Sequence, residues 1–147
     1  MTDYRPPLHD IRFVFTHLLD LERLGSFEGF EHVEPDLVFG ALEEAGRFAA
    51  EVIAPLYEVG DAQGSVLGDD GVVTNPEGYA EAYAKFVEAG WPGAAFPERW
   101  GGGGFPFLFG LAVSELVTSA DLAFSLCPML TFSAVELLLE HLSLIHI

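Results

Sequence analysis

The amino-acid sequence predicts an all-α fold, and three observations support this prediction. Apolar residues recur at the three-to-four-residue spacing of a helix in most segments, and strand-like alternation is nearly absent. Helix starts and stops bracket those segments, as where Asn75-Pro76 precedes one of them and Gly90 follows it. Half of the 147 residues are apolar, which is enough to build a core. We therefore expect one domain of about five helices.

The charge balance excludes several classes of partner. Six Lys and Arg stand against 23 Asp and Glu, for a net charge of −17, so we expect the chain to repel nucleic acid and anionic membranes. Cys127 is the single cysteine, which rules out an internal disulfide and fits a reducing cytoplasm. Met1 to Pro7 lacks the apolar stretch of a signal peptide, so we expect a cytoplasmic protein.

Two helices are predicted in the N-terminal half. The first ends near Gly25, and a linker rich in glycine and acidic residues runs from there to Pro35. Asp36 caps the second helix, which Pro55 ends or kinks. The predicted buried faces are Leu8, Ile11, Phe15 and Leu18 in the first helix and Leu37, Ala41, Ala45, Phe48, Val52 and Leu56 in the second.

A third helix is predicted between two loops. Gly60 to Asn75 is a predicted loop, with an extended conformation at Val72 and Val73 as an alternative. Asn75 is then the N-cap, Pro76 the first helical residue and Gly90 the stop. The predicted buried face of this helix consists of Tyr79, Tyr83, Phe86 and Val87. Trp91 to Pro106, with four consecutive glycines, is a predicted loop that packs onto the body of the domain.

The last two predicted helices are strongly apolar. One runs from Phe107 to about Thr118, and Asp121 caps the next, which bends at Pro128 and ends at His141. The longest charge-free run, Leu122 to Val135, has 14 residues, fewer than the roughly 20 that a membrane span needs. We therefore expect a buried pair of helices and no membrane span.

Few residues form a pattern that is typical of catalysis or metal binding. The five histidines are scattered, so no metal site is expected. Gly101 to Gly104 lacks a preceding strand and a following lysine, which favours a tight backbone crossing over a phosphate cradle. Glu115 has apolar neighbours and is expected to be buried and paired, with catalysis as the alternative. Cys127 is expected to be a structural thiol.

Four segments in order resemble the N-terminal part of acyl-CoA dehydrogenases. Gly90 to Pro106 is similar to the family's Gly-Trp step and glycine-rich turn, although Tyr or Phe is more usual at Trp100. Glu115 to His141 resembles the helix pair that follows, and Ala50 to Gly64 resembles the end of the first long helix. Pro6 to Phe15 is similar to an N-terminal extension found in the 3-methylmercaptopropionyl-CoA dehydrogenase-like subgroup.

The resemblance implies a domain organisation. Residues 1–34 would be the N-terminal extension and residues 35–141 the helical domain of the acyl-CoA dehydrogenase fold, without its middle β domain and C-terminal four-helix bundle. Residues 142–147 read LSLIHI. This string matches the translation of a transposon adapter used in library preparation, so we expect a non-native tail, with a genuine apolar helix end as the alternative.

The resemblance also implies a function for the longer parent protein, namely FAD-dependent α,β-dehydrogenation of an acyl-CoA thioester. The family's catalytic glutamate and most of its flavin contacts lie in the two later domains, so no catalytic or FAD-binding residue is expected in this chain, which would be inactive alone. The helix after Asp121 would form a wall of the acyl pocket through Phe124, Cys127 and Thr131, with ordinary core packing as the alternative for these three.

The expected partners of the parent protein are acyl-CoA, an electron-transfer partner and further copies of itself. Two other functions stay open at this point. One is a stand-alone acidic helical interaction module, and the other is a small membrane-associated protein. Since one fold hosts many functions, the residues alone do not separate these possibilities.

Overall fold

Helices account for most of residues 3–141, the part of the chain that the structure, a computed structural model, describes. In chain order they are α1 (Leu8–His17), α2 (Leu21–Leu24), α3 (Pro35–Phe48), α4 (Leu56–Gln63), α5 (Tyr79–Glu88), α6 (Phe107–Ala120) and α7 (Leu122–His141). The predicted all-α fold is confirmed. The predicted non-native tail, residues 142–147, lies outside the described residues.

Shorter elements connect these helices. They are a π-helical turn (Ala49–Ile53), two 3-10 turns (Trp91–Gly93 and Glu98–Trp100) and the strands β1 (Val66–Leu67) and β2 (Val73–Thr74). The strands pair antiparallel, with Val66 opposite Thr74. This small hairpin lies in the segment that was predicted to be a loop, and all four strand residues are exposed.

The core is centred on α3, the π-helical turn and α6. The largest side chains that are fully buried there are Val38, Leu42, Ile53, Phe109 and Leu116. Burial of each such side chain stabilises the fold by about 1.5–3 kcal/mol. Helix α1 covers one side of α3, where the ring centroids of Phe15 and Phe39 are 6.5 Å apart.

The N-terminal segment crosses the helical body and is attached at several points. The hydroxyl of Tyr4 donates a hydrogen bond of 2.9 Å to a backbone carbonyl of α6. Arg12 donates to the carboxylate of Glu43 on α3 at 3.1 Å. His32 Nε2 lies 3.2 Å from the carbonyl oxygen of Gly104 in the glycine-rich loop.

The predicted buried face of α3 is only partly right: Ala45 and Leu56 are buried, and Ala41, Phe48 and Val52 are partly buried against the core, but Leu37 is not. The side chain of Leu37 is 52% exposed, whereas the buried positions of α3 and the π-helical turn are Val38, Phe39, Leu42, Ala45, Gly46, Ala49 and Ile53. Helix α3 packs against α1 and α6 together, so its apolar surface is broad, and the spacing alone did not show which side faces the centre. For similar reasons Leu18 and Val87, both predicted to be buried, are exposed.

The predicted start of α5 at Asn75 is also wrong. The helix begins at Tyr79 after Gly78, whose φ of +85° belongs to the left-handed region that favours glycine. Asn75 instead accepts a 3.5 Å hydrogen bond from the Ser65 hydroxyl, and the amide of Glu77 donates to the side chain of Gln63. Helix α4 extends to Gln63. The side chain of Asn75 and the amide of Glu77 are therefore hydrogen-bonded to residues on the other side of the hairpin, and Asn75 does not cap α5.

The glycine-rich loop is a tight crossing of backbone on backbone, as the sequence predicted. A Cβ atom at Gly102 would lie 2.1 Å from the carbonyl oxygen of Phe96, and one at Gly103 would lie 2.7 Å from that of Ala94. The amides of Gly103 and Gly104 donate hydrogen bonds to carbonyl oxygens of the preceding loop. No side chain larger than hydrogen fits at these two positions.

Helices α6 and α7 form the predicted pair, but only α6 is buried. Its outer face includes Glu115, which is exposed, so the prediction of a buried and paired glutamate is wrong: helical periodicity turns this residue away from the core. In α7 the buried residues are Phe124 and Ser125. Of the described helices, α7 is long and apolar enough to cross a membrane by length and composition, which does not by itself show a span.

Candidate functional site

Two grooves flank the first half of α7. The first, here called the α5-side groove, has a volume of about 790 Å³. Its walls include Tyr57, Tyr79, Tyr83, Asp121, Phe124 and Cys127. The second, here called the α6-side groove, has a volume of about 210 Å³. Its walls include Phe86, Trp91, Ala95, Gly110, Ser125, Pro128, Met129 and Phe132.

Phe124 lies at the boundary between the two grooves. It is 3% exposed, and its ring centroid lies 6.2 Å from that of Tyr79 and 6.3 Å from that of Tyr83 on the α5 side. Its ring also packs edge-on against that of Phe86, which lines the α6-side groove, with the two ring centroids 5.9 Å apart. Phe124 is therefore a core residue and a groove wall at the same time, because the partition between the grooves is itself part of the core.

The three residues predicted to form the acyl wall are only partly brought together. Phe124 and Cys127 both line the α5-side groove, whereas Thr131 is exposed and lies outside the walls of both grooves. Cys127 is exposed as well. The alternative that these residues are ordinary core therefore holds for Phe124 and is wrong for Cys127 and Thr131, as is the prediction of a structural thiol. Helix α6 is the main packing partner of α7, and neither Cys127 nor Thr131 lines the α6-side groove.

A different set of α7 residues lines the α6-side groove, and the sequence analysis missed it. Ser125, Pro128, Met129 and Phe132 have the spacing i, i+3, i+4 and i+7, which places them on one face of a helix. That spacing was readable in the sequence. Because α7 is apolar nearly all round, the sequence did not show that this face, rather than that of Cys127, lies toward α6.

Aromatic rings pack around Phe132, one of the walls of the α6-side groove. The ring of Phe132 stacks on that of Phe96 at a centroid distance of 5.3 Å. The centroid of the Phe107 ring lies 5.9 Å from that of Phe132. Gly110 lines the same groove, where a Cβ atom would lie 2.8 Å from the Cβ of Ala95. The glycine thus allows α6 to approach the loop closely.

The hydroxyl of Tyr79 and the carboxylate of Asp121 are joined in the α5-side groove. Tyr79 donates to Asp121 Oδ2 at 2.6 Å. Burial, the hydrogen bond to Asp121 and the charge of that carboxylate together raise the pKa of Tyr79. Burial, followed by the neighbouring thiol of Cys127, raises the pKa of Tyr83. Both hydroxyls therefore stay protonated at neutral pH and act as donors.

The walls of the two grooves beside α7 do not match the phosphates of FAD or CoA. The walls of both grooves contain no Lys or Arg in the described part of the chain, and those of the α5-side groove carry two carboxylates, Asp61 and Asp121. A flavin diphosphate or the phosphates of CoA need cationic or amide donors, so these grooves do not match them. Within residues 3–141 there is also no group of three metal-ligating side chains. The α6-side groove, without any charged side chain in its described walls, is suited to an apolar group.

Comparison with known proteins identifies the family. A family model for the acyl-CoA dehydrogenase N-terminal domain matches residues 41–143. The chain is also 42% identical over 135 residues to the 3-methylmercaptopropionyl-CoA dehydrogenase of Ruegeria pomeroyi, an alignment that covers 92% of this chain and 23% of that protein. The chain thus spans less than a quarter of the length of this relative. The chain belongs to the acyl-CoA dehydrogenase family, of which it carries the N-terminal helical domain.

Proposed function

We propose that this chain is the N-terminal part of an FAD-dependent acyl-CoA dehydrogenase, in which it forms one wall of the acyl pocket. Family membership and the 23% coverage of the longer relative support this proposal. The parent enzyme oxidises an acyl-CoA thioester at its α,β-bond, and FAD accepts the hydride. In this proposal the catalytic glutamate and the flavin site lie in later domains, so the 147-residue chain is inactive by itself.

The remaining features of the parent enzyme follow from the same proposal. It works in the cytoplasm, passes electrons to a separate electron-transfer partner, and assembles as a homo-oligomer. The positive groups that hold the phosphates of CoA and FAD come from outside this chain, because its net charge is −17.

We place the acyl chain in the α6-side groove. The observation that supports this is the chemistry of its walls: they are aromatic and aliphatic, and they include Ser114 and Ser125 but no charged side chain. The transfer of an acyl tail from water to such a surface is favourable. The exclusion of water also favours proton abstraction next to a thioester. The small volume of about 210 Å³ suits a short acyl chain. The α5-side groove is wider and carries two carboxylates.

Two substitutions on α7 in the parent enzyme test this placement. Met129→Trp adds bulk to the α6-side groove, whereas Cys127→Trp adds even more bulk to the α5-side groove. We expect Met129→Trp to lower kcat/KM by about tenfold or more, mainly through KM, and Cys127→Trp to have a several-fold smaller effect. The opposite order would place the acyl chain beside Phe124 and Cys127, where the sequence predicted it.

The identity of the parent enzyme is tested separately. We expect the purified parent protein to show the absorbance of an oxidised flavin, which a short-chain acyl-CoA bleaches under anaerobic conditions. A colourless protein, or a flavin that no acyl-CoA reduces, would overturn the proposed reaction.

A further inference from the structure

Asp121 lies at the junction of α6 and α7 and is one of two buried polar residues among those described, with 2% of its surface exposed. Its Oδ1 accepts a hydrogen bond from the Phe124 amide at 3.0 Å and so caps α7, as the sequence predicted. Its Oδ2 accepts a hydrogen bond from the hydroxyl of Tyr79 on α5 at 2.6 Å. One carboxylate thus holds two helices that are distant in sequence.

Asp121 has no cationic partner among the described residues. The ion pairs of that part of the chain involve other carboxylates, all of them on the surface. A buried carboxylate is costly unless its oxygens accept hydrogen bonds. The start of α7 contributes the partial positive charge of a helix N-terminus, and the Tyr79 hydroxyl supplies the remaining donor. The Tyr79 hydroxyl therefore joins α7 to α5 through a buried carboxylate, in addition to the packing of Tyr79, Tyr83 and Phe86 on Phe124.

The first turn of α7 transmits that position to the α6-side groove. Phe124 packs against Phe86, a wall of the groove, and the next residue, Ser125, is itself a wall. The amide of Ser125 donates to the backbone carbonyl of Asp121 at 3.2 Å. A shift of this turn would therefore move two walls of the proposed acyl site together.

We propose that Tyr79 and Asp121 form a positioning pair that holds α7 at the correct distance from α5 and thereby sets the width of the acyl groove. This inference rests on the proposed function. Neither side chain lines the α6-side groove, so the pair acts through α7 and not by touching the substrate.

Tyr79→Phe in the parent enzyme tests the pair, with Tyr83→Phe as its matched control. Tyr83 lies one turn later on α5, and its ring also packs on Phe124, but its hydroxyl does not bond to Asp121. We expect Tyr79→Phe to raise KM for a short-chain acyl-CoA by about three- to tenfold with kcat within about twofold, and Tyr83→Phe to leave both constants unchanged. Asp121→Asn keeps an acceptor oxygen and is expected to retain most of the affinity that Tyr79→Phe loses.

Hydrogen exchange of the 147-residue chain provides a readout that does not depend on activity. We expect Tyr79→Phe to accelerate exchange of the Phe124 and Ser125 amides, with no change in Tyr83→Phe. If the wild-type parent is active but Tyr79→Phe matches Tyr83→Phe in KM, or if exchange is unchanged, the positioning role is wrong and the proposed function stands. An inactive, flavin-free parent protein would overturn both.

Discussion

Helices α6 and α7 follow one another directly and have similar apolar compositions, yet they are buried to very different extents. Helix α6 buries Phe109, Ala112, Val113, Leu116, Val117 and Ala120 against α3 and the π-helical turn. Helix α7 is longer, but its buried residues are Phe124 and Ser125. The hydropathy of a segment indicates that its apolar side chains favour burial. Whether residues of this domain bury them depends on the rest of the fold.

The exposed surface of α7 is large and continuous along the helix. Leu122, Leu130 and Leu137 are 62%, 69% and 59% exposed, and Leu126 and Leu138 lie on the surface as well. Monomeric soluble proteins rarely leave such a patch open. In the proposed parent enzyme, later domains would cover this helix. The contrast with α6 can therefore be tested by measuring how substitutions in each helix change the stability and the self-association of the isolated chain.

The largest expected effect is on the free energy of unfolding. Leu116→Ala removes a side chain that is 0% exposed from the middle of α6 and should lower the stability by about 3 kcal/mol, because it leaves a cavity in a packed core. Leu130→Ala, the same change on α7, should cost less than about 0.5 kcal/mol. Urea denaturation of the 147-residue chain measures both, and equal losses would contradict the difference in burial between the two helices.

A second effect is expected on self-association. The triple substitution Leu126→Gln, Leu130→Gln and Leu137→Gln should reduce the concentration-dependent association of the chain, which sedimentation velocity measures. Leu18→Gln with Leu19→Gln provides the control, since both leucines are exposed at the end of α1 and are not part of α7. A wild-type chain that remains monomeric and soluble at high concentration would favour the alternative of a stand-alone acidic interaction module.

The smallest effect concerns pH and the attachment of α7 to α5. Burial and the hydrogen bond to Asp121 raise the pKa of Tyr79 above its ordinary value, which is about 10. The folded state then holds the proton more tightly than the unfolded state. The contribution of Tyr79 to the free energy of unfolding is therefore fully present below about pH 10 and decreases as the pH rises above it.

Tyr79→Phe tests this linkage. We expect the variant to lose stability less steeply than the wild type between about pH 9.5 and 11 in urea titrations, with Tyr57→Phe, which removes an exposed hydroxyl, as the control. Parallel losses in the wild type and Tyr79→Phe would show that the hydroxyl is not coupled to folding.

Local signals in the sequence predicted several elements correctly. Pro106 before α6, Asp121 before α7 and the four glycines of the loop each act through their own backbone geometry or an immediate neighbour. Two predicted caps are wrong: Asp36 lies inside α3, which begins at Pro35, and the side chain of Asn75 accepts a hydrogen bond from Ser65, ten residues away. Signals of this kind are reliable only where no distant group takes the same hydrogen bond.

The orientation of helices was less predictable. The buried side of α3 and the exposure of Glu115 and Cys127 all depend on which neighbours a helix meets. The acyl-wall residues Phe124, Cys127 and Thr131 stay a prediction, and the structure adds the competing face of Ser125, Met129 and Phe132. On a helix that is apolar all round, periodicity does not distinguish between such faces.

By itself, the sequence determined that this chain is helical, acidic and similar to acyl-CoA dehydrogenases, because composition, caps and turn residues act locally. Only the tertiary structure decided that α6 is buried while α7 is left open, and that Asp121 joins α7 to Tyr79 on α5. These features depend on contacts between residues far apart in the chain, and the pattern within one segment does not contain that information.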